Sequence, residues 1–221
     1  MKILALDTST ETMSLALLEG NSLVAEVRLS SPRGHAEALP EVLADVLRRV
    51  GWEAKDLERV VVGIGPGSYT GMRVGLAFGK SMAYALGIEV VGVSTLEALA
   101  APLLGENIVP ILDARRDRVY AALYSQVEGC SMKRDIDVCP LDEVLSWGES
   151  LLFTGPGLEN EDYRRRILEA GHTIAPAALW DVSAYALGLC GAAKEAEEFS
   201  TVQPLYLRKT RPERRLEGDF S

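Results

Sequence analysis

Between positions 71 and 87 a residue with little or no side chain recurs at every fourth place: Gly71, Gly75, Gly79, Ala83 and Gly87. On a helix of 3.6 residues per turn these positions fall along one edge and leave it bare. Each interior glycine costs a helix about 1 kcal/mol against alanine. Gly75 and Gly79 therefore need an offsetting gain, and the close approach of another backbone supplies one. Met72, Leu76, Phe78 and Met82 flank the bare edge. Two readings fit: the helix is seated tightly inside its own domain, or it packs on a helix of another chain.

Around this helix the chain alternates strands and helices. Lys2–Leu6, Met13–Leu18 and Leu23–Leu29 read as a meander of strands, with a polar turn, Asp7 to Thr12, after the first. Apolar residues at Leu39, Val42, Leu43, Val46, Leu47 and Val50 follow a helical stripe that Gly51 stops. Val60–Ile64 reads as a buried strand and runs into a glycine-rich loop. Val90–Val93 is a further strand and Thr95–Leu104 a further helix. A second half then opens as the first did: Ile108–Asp113 is a strand ending in an acid, Ala114–Asp117 a turn, and Val119–Tyr124 a strand. Helices follow near Leu141–Trp147, Tyr163–Ala170 and Val182–Glu198, with a strand at Leu151–Thr154 and an extended segment at Pro204–Leu207. The expected fold is α/β with mixed sheets, in two lobes spanning residues 1–105 and 106–221.

With 221 residues, 48% of them hydrophobic, the chain can bury a core without metals or disulfides. Cys130, Cys139 and Cys190 lack the spacing of a metal site and read as idle thiols of a reducing compartment. No stretch approaches the roughly 20 apolar residues that span a bilayer, and the start does not read as a signal peptide, so a soluble cytoplasmic protein is expected. A net charge of −9 repels phosphate and argues against strong stand-alone nucleic-acid binding. Against that background Arg208, Lys209, Arg211, Arg214 and Arg215, opposed by Glu213 alone, form a basic tail suited to RNA phosphates, to an acidic partner or simply to solvent.

Two segments suggest anion binding. Asp7 at the end of a strand, followed by Thr8, Ser9, Thr10 and Glu11, has the donors and the acid of a turn that grips a metal-bound phosphate. The same residues also suit a hairpin turn that satisfies its own backbone. The loop from Gly63 to Gly71 sits between strand and helix, yet no Lys-Ser/Thr follows its final glycine and Thr70 stands where a dinucleotide fingerprint needs glycine. The only histidines, His35 and His172, lie in different halves: His35 reads as a capping or packing residue and His172 as a surface turn residue. Ser68 lacks the flanking glycines of a nucleophile elbow, which disfavours a peptidase.

The segments ILALDTSTETMSLAL, RGHAEALPEVL, VGIGPGSYTGMRVGLAFGKSMAYALG and VVGVSTLEALA, with DARRDRVYAALY and PLYLRK later, resemble the bacterial tRNA threonylcarbamoyladenosine biosynthesis family TsaB over nearly the whole chain. That resemblance implies an actin-like ATPase (ribonuclease H-like) fold with a reduced second lobe. It also implies a chain that is not itself the catalyst but pairs with its paralogue TsaD, with the ATPase TsaE joining the complex and tRNA met only through it. Alone, such a chain is expected to form a homodimer. The metal-binding histidine pair of the sister subunit aligns with Thr95 and Leu99, so no metal or cofactor of the chain's own is expected. The bare edge, with Gly71, Met72, Gly75, Leu76, Phe78, Gly79, Met82 and Ala83, then becomes the partner-binding surface. On that reading Gly75→Leu or Gly79→Leu spares the monomer and abolishes pairing. The alternative is a stand-alone Mg-dependent ATPase or phosphotransferase using Asp7.

Overall fold

Two five-stranded sheets with the same strand order form the frame. A computed structural model describes residues 1–30, 35–127, 129–196, 199 and 201–207, with only the backbone for 35–37. In the first sheet, β1 (Lys2–Asp7), β2 (Thr12–Glu19) and β3 (Ser22–Ser30) form an antiparallel meander. β4 (Arg59–Gly63) and β5 (Glu89–Val93) add in parallel beyond β1, giving the order β3-β2-β1-β4-β5. The second sheet repeats this with β6 (Gly105–Asp113), β7 (Arg118–Gln126), β8 (Cys130–Pro140), β9 (Leu152–Thr154) and β10 (Thr173–Ile174), ordered β10-β9-β6-β7-β8. Each strand of one sheet thus has a counterpart in the other. Asp7, ending β1, corresponds to Asp113, ending β6.

Helices cover three apolar layers. α1 (His35–Val50) and α2 (Tyr69–Leu86) cover one face of the first sheet, burying Leu39, Leu43, Leu76 and Ala83 against Leu4, Leu6, Val60 and Val62. α4 (Leu141–Leu145) and α5 (Glu161–Glu169) cover the outer face of the second sheet around Phe153. Between the sheets lie α3 (Thr95–Ala100) and α6 (Ala184–Ala192), packed on each other and sharing one apolar cluster with strands of both sheets. In sequence the sheets divide between β5, which ends at Val93, and β6, which begins at Gly105, whereas α6 returns to lie on β1, β2 and β4.

Local chemistry explains why α6 sits there. A Cβ on Gly188 would come within 2.7 Å of a Leu18 methyl, and one on Gly191 within 2.4 Å of Val61, so both glycines let the helix backbone settle onto the sheet. Arg59, buried at the start of β4, donates to the carbonyls of Gly191 and Lys194 at 3.0 Å and pairs with Glu89. A cation thus closes the carboxyl end of α6, where orphan carbonyls gather. Among the described residues no helix is long and apolar enough to cross a membrane.

The basic tail lies outside the described residues. The expected extended segment 204–207 has no regular hydrogen-bonded structure, but Phe199, Val202, Leu205 and Tyr206 lie alongside α2 and the loop before it. Leu205 N–H donates to Ile64 O, Lys80 Nζ donates to Val202 O, and the Tyr206 ring sits 5.3 Å from that of Tyr69. Phe199 packs against Tyr84.

Candidate functional site: the two acid-bearing turns and helix α2

The bare edge of α2 faces inward. A Cβ at Gly71 would lie 2.0 Å from Thr8 O, at Gly75 2.4 Å from Thr8 Oγ1, and at Gly79 2.4 Å from a Val62 methyl. Met72, Leu76 and Ala83 are buried alongside, and Phe78 and Met82 are half-buried against the same core. The glycines seat the helix on β1 and β4 of its own lobe. Outward α2 presents the small side chains Ala77, Ser81 and Ala85 together with Arg73 and Tyr84, which is 81% exposed, beside half-buried Val74. Ser68 caps the helix by accepting from Gly71 N–H, and Gly87, at φ 66°, closes its far end.

The β1–β2 turn is likewise turned in on itself. Asp7, Thr8 and Ser9 are buried, and Thr8 Oγ1 donates to Gly71 O at 2.7 Å. Asp7 Oδ1 accepts from the backbone N–H and the hydroxyl of Ser9, both at 2.8 Å, and its Oδ2 lies 2.9 Å from Thr95 Oγ1. The Ser9 and Thr95 hydroxyl oxygens are themselves 2.8 Å apart. Gly63 leaves no room for a side chain here, since its Cβ would meet Asp7 Oδ2 at 1.8 Å. Thr10 donates to Thr12 O, and Glu11 is exposed. The Thr8 and Ser9 hydroxyls are thus engaged within the chain. Glu11 also neighbours Glu159, whose carboxyl is raised first by burial and then by Asp181 and Glu11, so an anion approaching this turn meets acids.

Burial raises the Asp7 carboxyl above its usual range, and the hydrogen bonds from Ser9 and Thr95 oppose that shift only in part. The ring of three oxygen contacts gives a second reason. Ser9, Thr95 and an ionised Asp7 offer two hydroxyl protons for three contacts, whereas the neutral acid supplies the third. A folded pKa above the unfolded one means that the native state binds the proton more tightly, so stability falls as pH rises between the two values. Asp7→Asn imitates the neutral acid and should keep the Tm at neutral pH or raise it, with a flatter Tm-against-pH curve in the acid range. Asp7→Ala strips two buried hydroxyls of their partner and should cost about 1–3 kcal/mol. Melting curves of both variants across that range test the assignment.

The β6–β7 turn, in the corresponding place on the second sheet, is open. Asp113 is exposed and its Oδ1 accepts from Arg115 N–H at 2.7 Å. Three consecutive non-glycine residues, Arg115, Arg116 and Asp117, have φ of 62°, 58° and 56°. Such left-handed backbone costs about 1 kcal/mol per side-chain-bearing residue. The turn is held by Ala114 N–H donating to Arg118 O and by Arg166 pairing with Asp117.

Other candidates resolve into structural roles. Thr95 bonds Asp7, and Leu99 is buried in the core between the sheets. The His35 side chain lies outside the described part. His172 is buried, not a surface turn residue: its Nδ1 accepts from Leu151 N–H, and its Nε2 lies 3.0 Å from Leu145 O. All three cysteines are free, and burial pushes the Cys139 thiol up to about 11 and that of Cys190 to about 12, poor settings for a nucleophile. Asp137, Cys139 and Glu143 bring ligand atoms within 4.8 Å of one another, but Glu143 already pairs with Arg134 and Asp137 accepts from Val138 N–H. One sequence signal of the duplication went unread: Gly-Pro-Gly follows β4 at 65–67 and β9 at 155–157.

Twin sheets of this order, each opening on an acid-bearing turn and sharing helices between them, define a two-lobed actin-like protein. The ethanolamine utilization protein EutJ from Carboxydothermus hydrogenoformans shares that fold at 12% identity, with a TM-score of 0.53 over 86% of this chain and 90% of its own. A family model described as TsaD, tRNA N6-adenosine threonylcarbamoyltransferase, matches residues 23–190. Similarity along the whole length is to the tRNA threonylcarbamoyladenosine biosynthesis protein TsaB of Bacillus subtilis, 33% identical over 94% of each chain. The solved structure of YeaZ from Pseudomonas aeruginosa superposes with a TM-score of 0.78 at 28% identity, covering 93% of this chain and 99% of that one. The chain belongs to the TsaB family.

Proposed function

We propose that this chain is a non-catalytic subunit in tRNA threonylcarbamoyladenosine biosynthesis, working as the partner of TsaD. The observation that carries the reading is kinship with TsaB over 94% of both chains, combined with a TsaD family model that spans both lobes. Two chains built on one plan can pair pseudo-symmetrically through equivalent faces. In this chain the face left for such pairing is the outer side of α1 and α2. There Ala77, Ser81 and Ala85 let a neighbouring helix come close, and Val74 and Phe78 supply apolar contact. The same face pairs two copies when TsaD is absent. TsaE joins the assembled pair, and tRNA is met in that complex.

Several features support a supporting role rather than chemistry. The Asp7 carboxylate is enclosed by its own hydroxyls, Thr95 is engaged with it, and Leu99 lies in the core where the sister's ligand would be. A stand-alone ATPase using Asp7 would need that carboxylate exposed to a metal. The deciding experiment is co-expression with TsaD, then threonylcarbamoylation of a tRNA transcript with and without this chain. Modification is expected only when both are present. Equal modification by TsaD alone, or ATP hydrolysis by this chain that disappears in Asp7→Ala, would sink the proposal.

A further inference from the structure

Every arginine among the described residues has a side-chain partner in the chain except two adjacent ones. Those two, Arg115 and Arg116, are exposed at the tip of the β6–β7 turn, and their guanidinium groups have no hydrogen bond or ion pair among the described residues. They also occupy two of the three consecutive left-handed positions, a conformation that glycine or asparagine would adopt with less strain. The fold gains no side-chain hydrogen bond or ion pair from arginine there. Strain kept without a structural return points to a function outside the fold.

The matching turns of the two sheets have diverged in opposite ways. Asp7, Thr8 and Ser9 are sealed into the protein, while Arg115 and Arg116 project from it. On a chain of net charge −9 they are a local cationic point on a body that otherwise repels polyanions. The guanidinium fork matches two phosphate oxygens at once, a geometry a lysine cannot reproduce.

We infer that Arg115 and Arg116 bind the phosphate backbone of the tRNA when the chain is assembled with its partner. The inference rests on the reading that the chain works in a tRNA-modifying complex. It adds an RNA contact that the acidic body alone would not supply. Each arginine neutralises a backbone phosphate and releases its condensed counterions, so the contact carries a salt dependence of its own.

The test uses the reconstituted complex with TsaD and an unmodified tRNA transcript, titrated at several salt concentrations. For the double variant R115A/R116A, binding near 150 mM salt should weaken about tenfold, and the slope of log K against log salt should shrink by roughly 1.5 to 2. R115G/R116G should lose binding equally while its Tm stays level or rises, because the backbone strain is relieved. An unchanged salt slope in either variant overturns the inference, as does a lowered Tm for the glycine variant, which would make the arginines structural. If the variants fail to co-elute with TsaD while the parent does, the arginines face an acidic protein surface and the RNA assignment is wrong. A parent chain that never assembles with TsaD overturns the functional reading itself.

Discussion

Gly79→Leu is expected to leave no folded protein at all. Its first side-chain atom would stand 2.4 Å from a Val62 methyl and 3.3 Å from one of Val60, on a sheet whose strands are fully buried there. Neither valine can swing aside, since both are β-branched and packed on a sheet with little rotamer freedom. Forcing extra methylenes into such a site costs about 1–3 kcal/mol or more, and leucine adds several atoms beyond the one already in collision. That burden approaches the whole stability of an ordinary domain, which is about 5–15 kcal/mol. The milder Gly79→Ala gains about 1 kcal/mol in helix propensity and loses more to the clash, so its Tm should drop by roughly 5 °C. Circular dichroism melts decide the matter. A Gly79→Leu protein melting like its parent but unable to pair would mean that the glycine edge faces outward.

The bare edge shows where a single sequence stopped being legible. Fourth-residue spacing correctly marked a backbone that something approaches closely, but spacing carries no information about what approaches. The answer was the chain's own sheet, and α6 repeats the lesson, with Gly188 and Gly191 seated on Leu18 and Val61. Strands with dense apolar runs, such as Ile3–Leu6 and Val60–Val62, were readable because burial on both faces leaves nothing polar in them. β8 was not. Its residues from Cys130 to Asp135 are exposed on an edge strand, so neither alternation nor apolar runs announce it. The helix expected to reach Glu198 ends at Ala192. The Asp7 turn was read as chemically suggestive because Asp, Thr and Ser are the residues of phosphate turns and of self-satisfied turns alike. Only the position of Thr95, distant in sequence, distinguishes the two. His172 misled for a similar reason: a histidine after glycine looks like a surface turn until Leu145 and Leu151 enclose it.

With the glycine edge seated in the fold, the proposed pairing with TsaD falls to the opposite side of α2, and substitutions there should separate the two properties. Ala77 and Ser81 are exposed and a turn apart, and none of their side-chain atoms contributes to the core. A long cation at either place can extend into water in the free chain, so the Tm of Ala77→Arg or Ser81→Arg should stay within about 2 °C of the parent. In the proposed complex the same cation would be trapped between closely packed helices. An unpaired charge buried in that way costs about 3–5 kcal/mol, equivalent to a loss of affinity of two to three orders of magnitude. Size-exclusion chromatography with TsaD should therefore show the variants eluting separately from it, and the tRNA modification that needs the pair should fail with them. The flank of α2 that carries Tyr69 and Lys80 gives the control, because Val202 and Tyr206 already lie along it. Tyr69→Arg on that flank should leave assembly intact. Variants Ala77→Arg and Ser81→Arg that still co-elute with TsaD, alongside a Tyr69→Arg that does not, would move the interface to the flank that Val202 and Tyr206 cover.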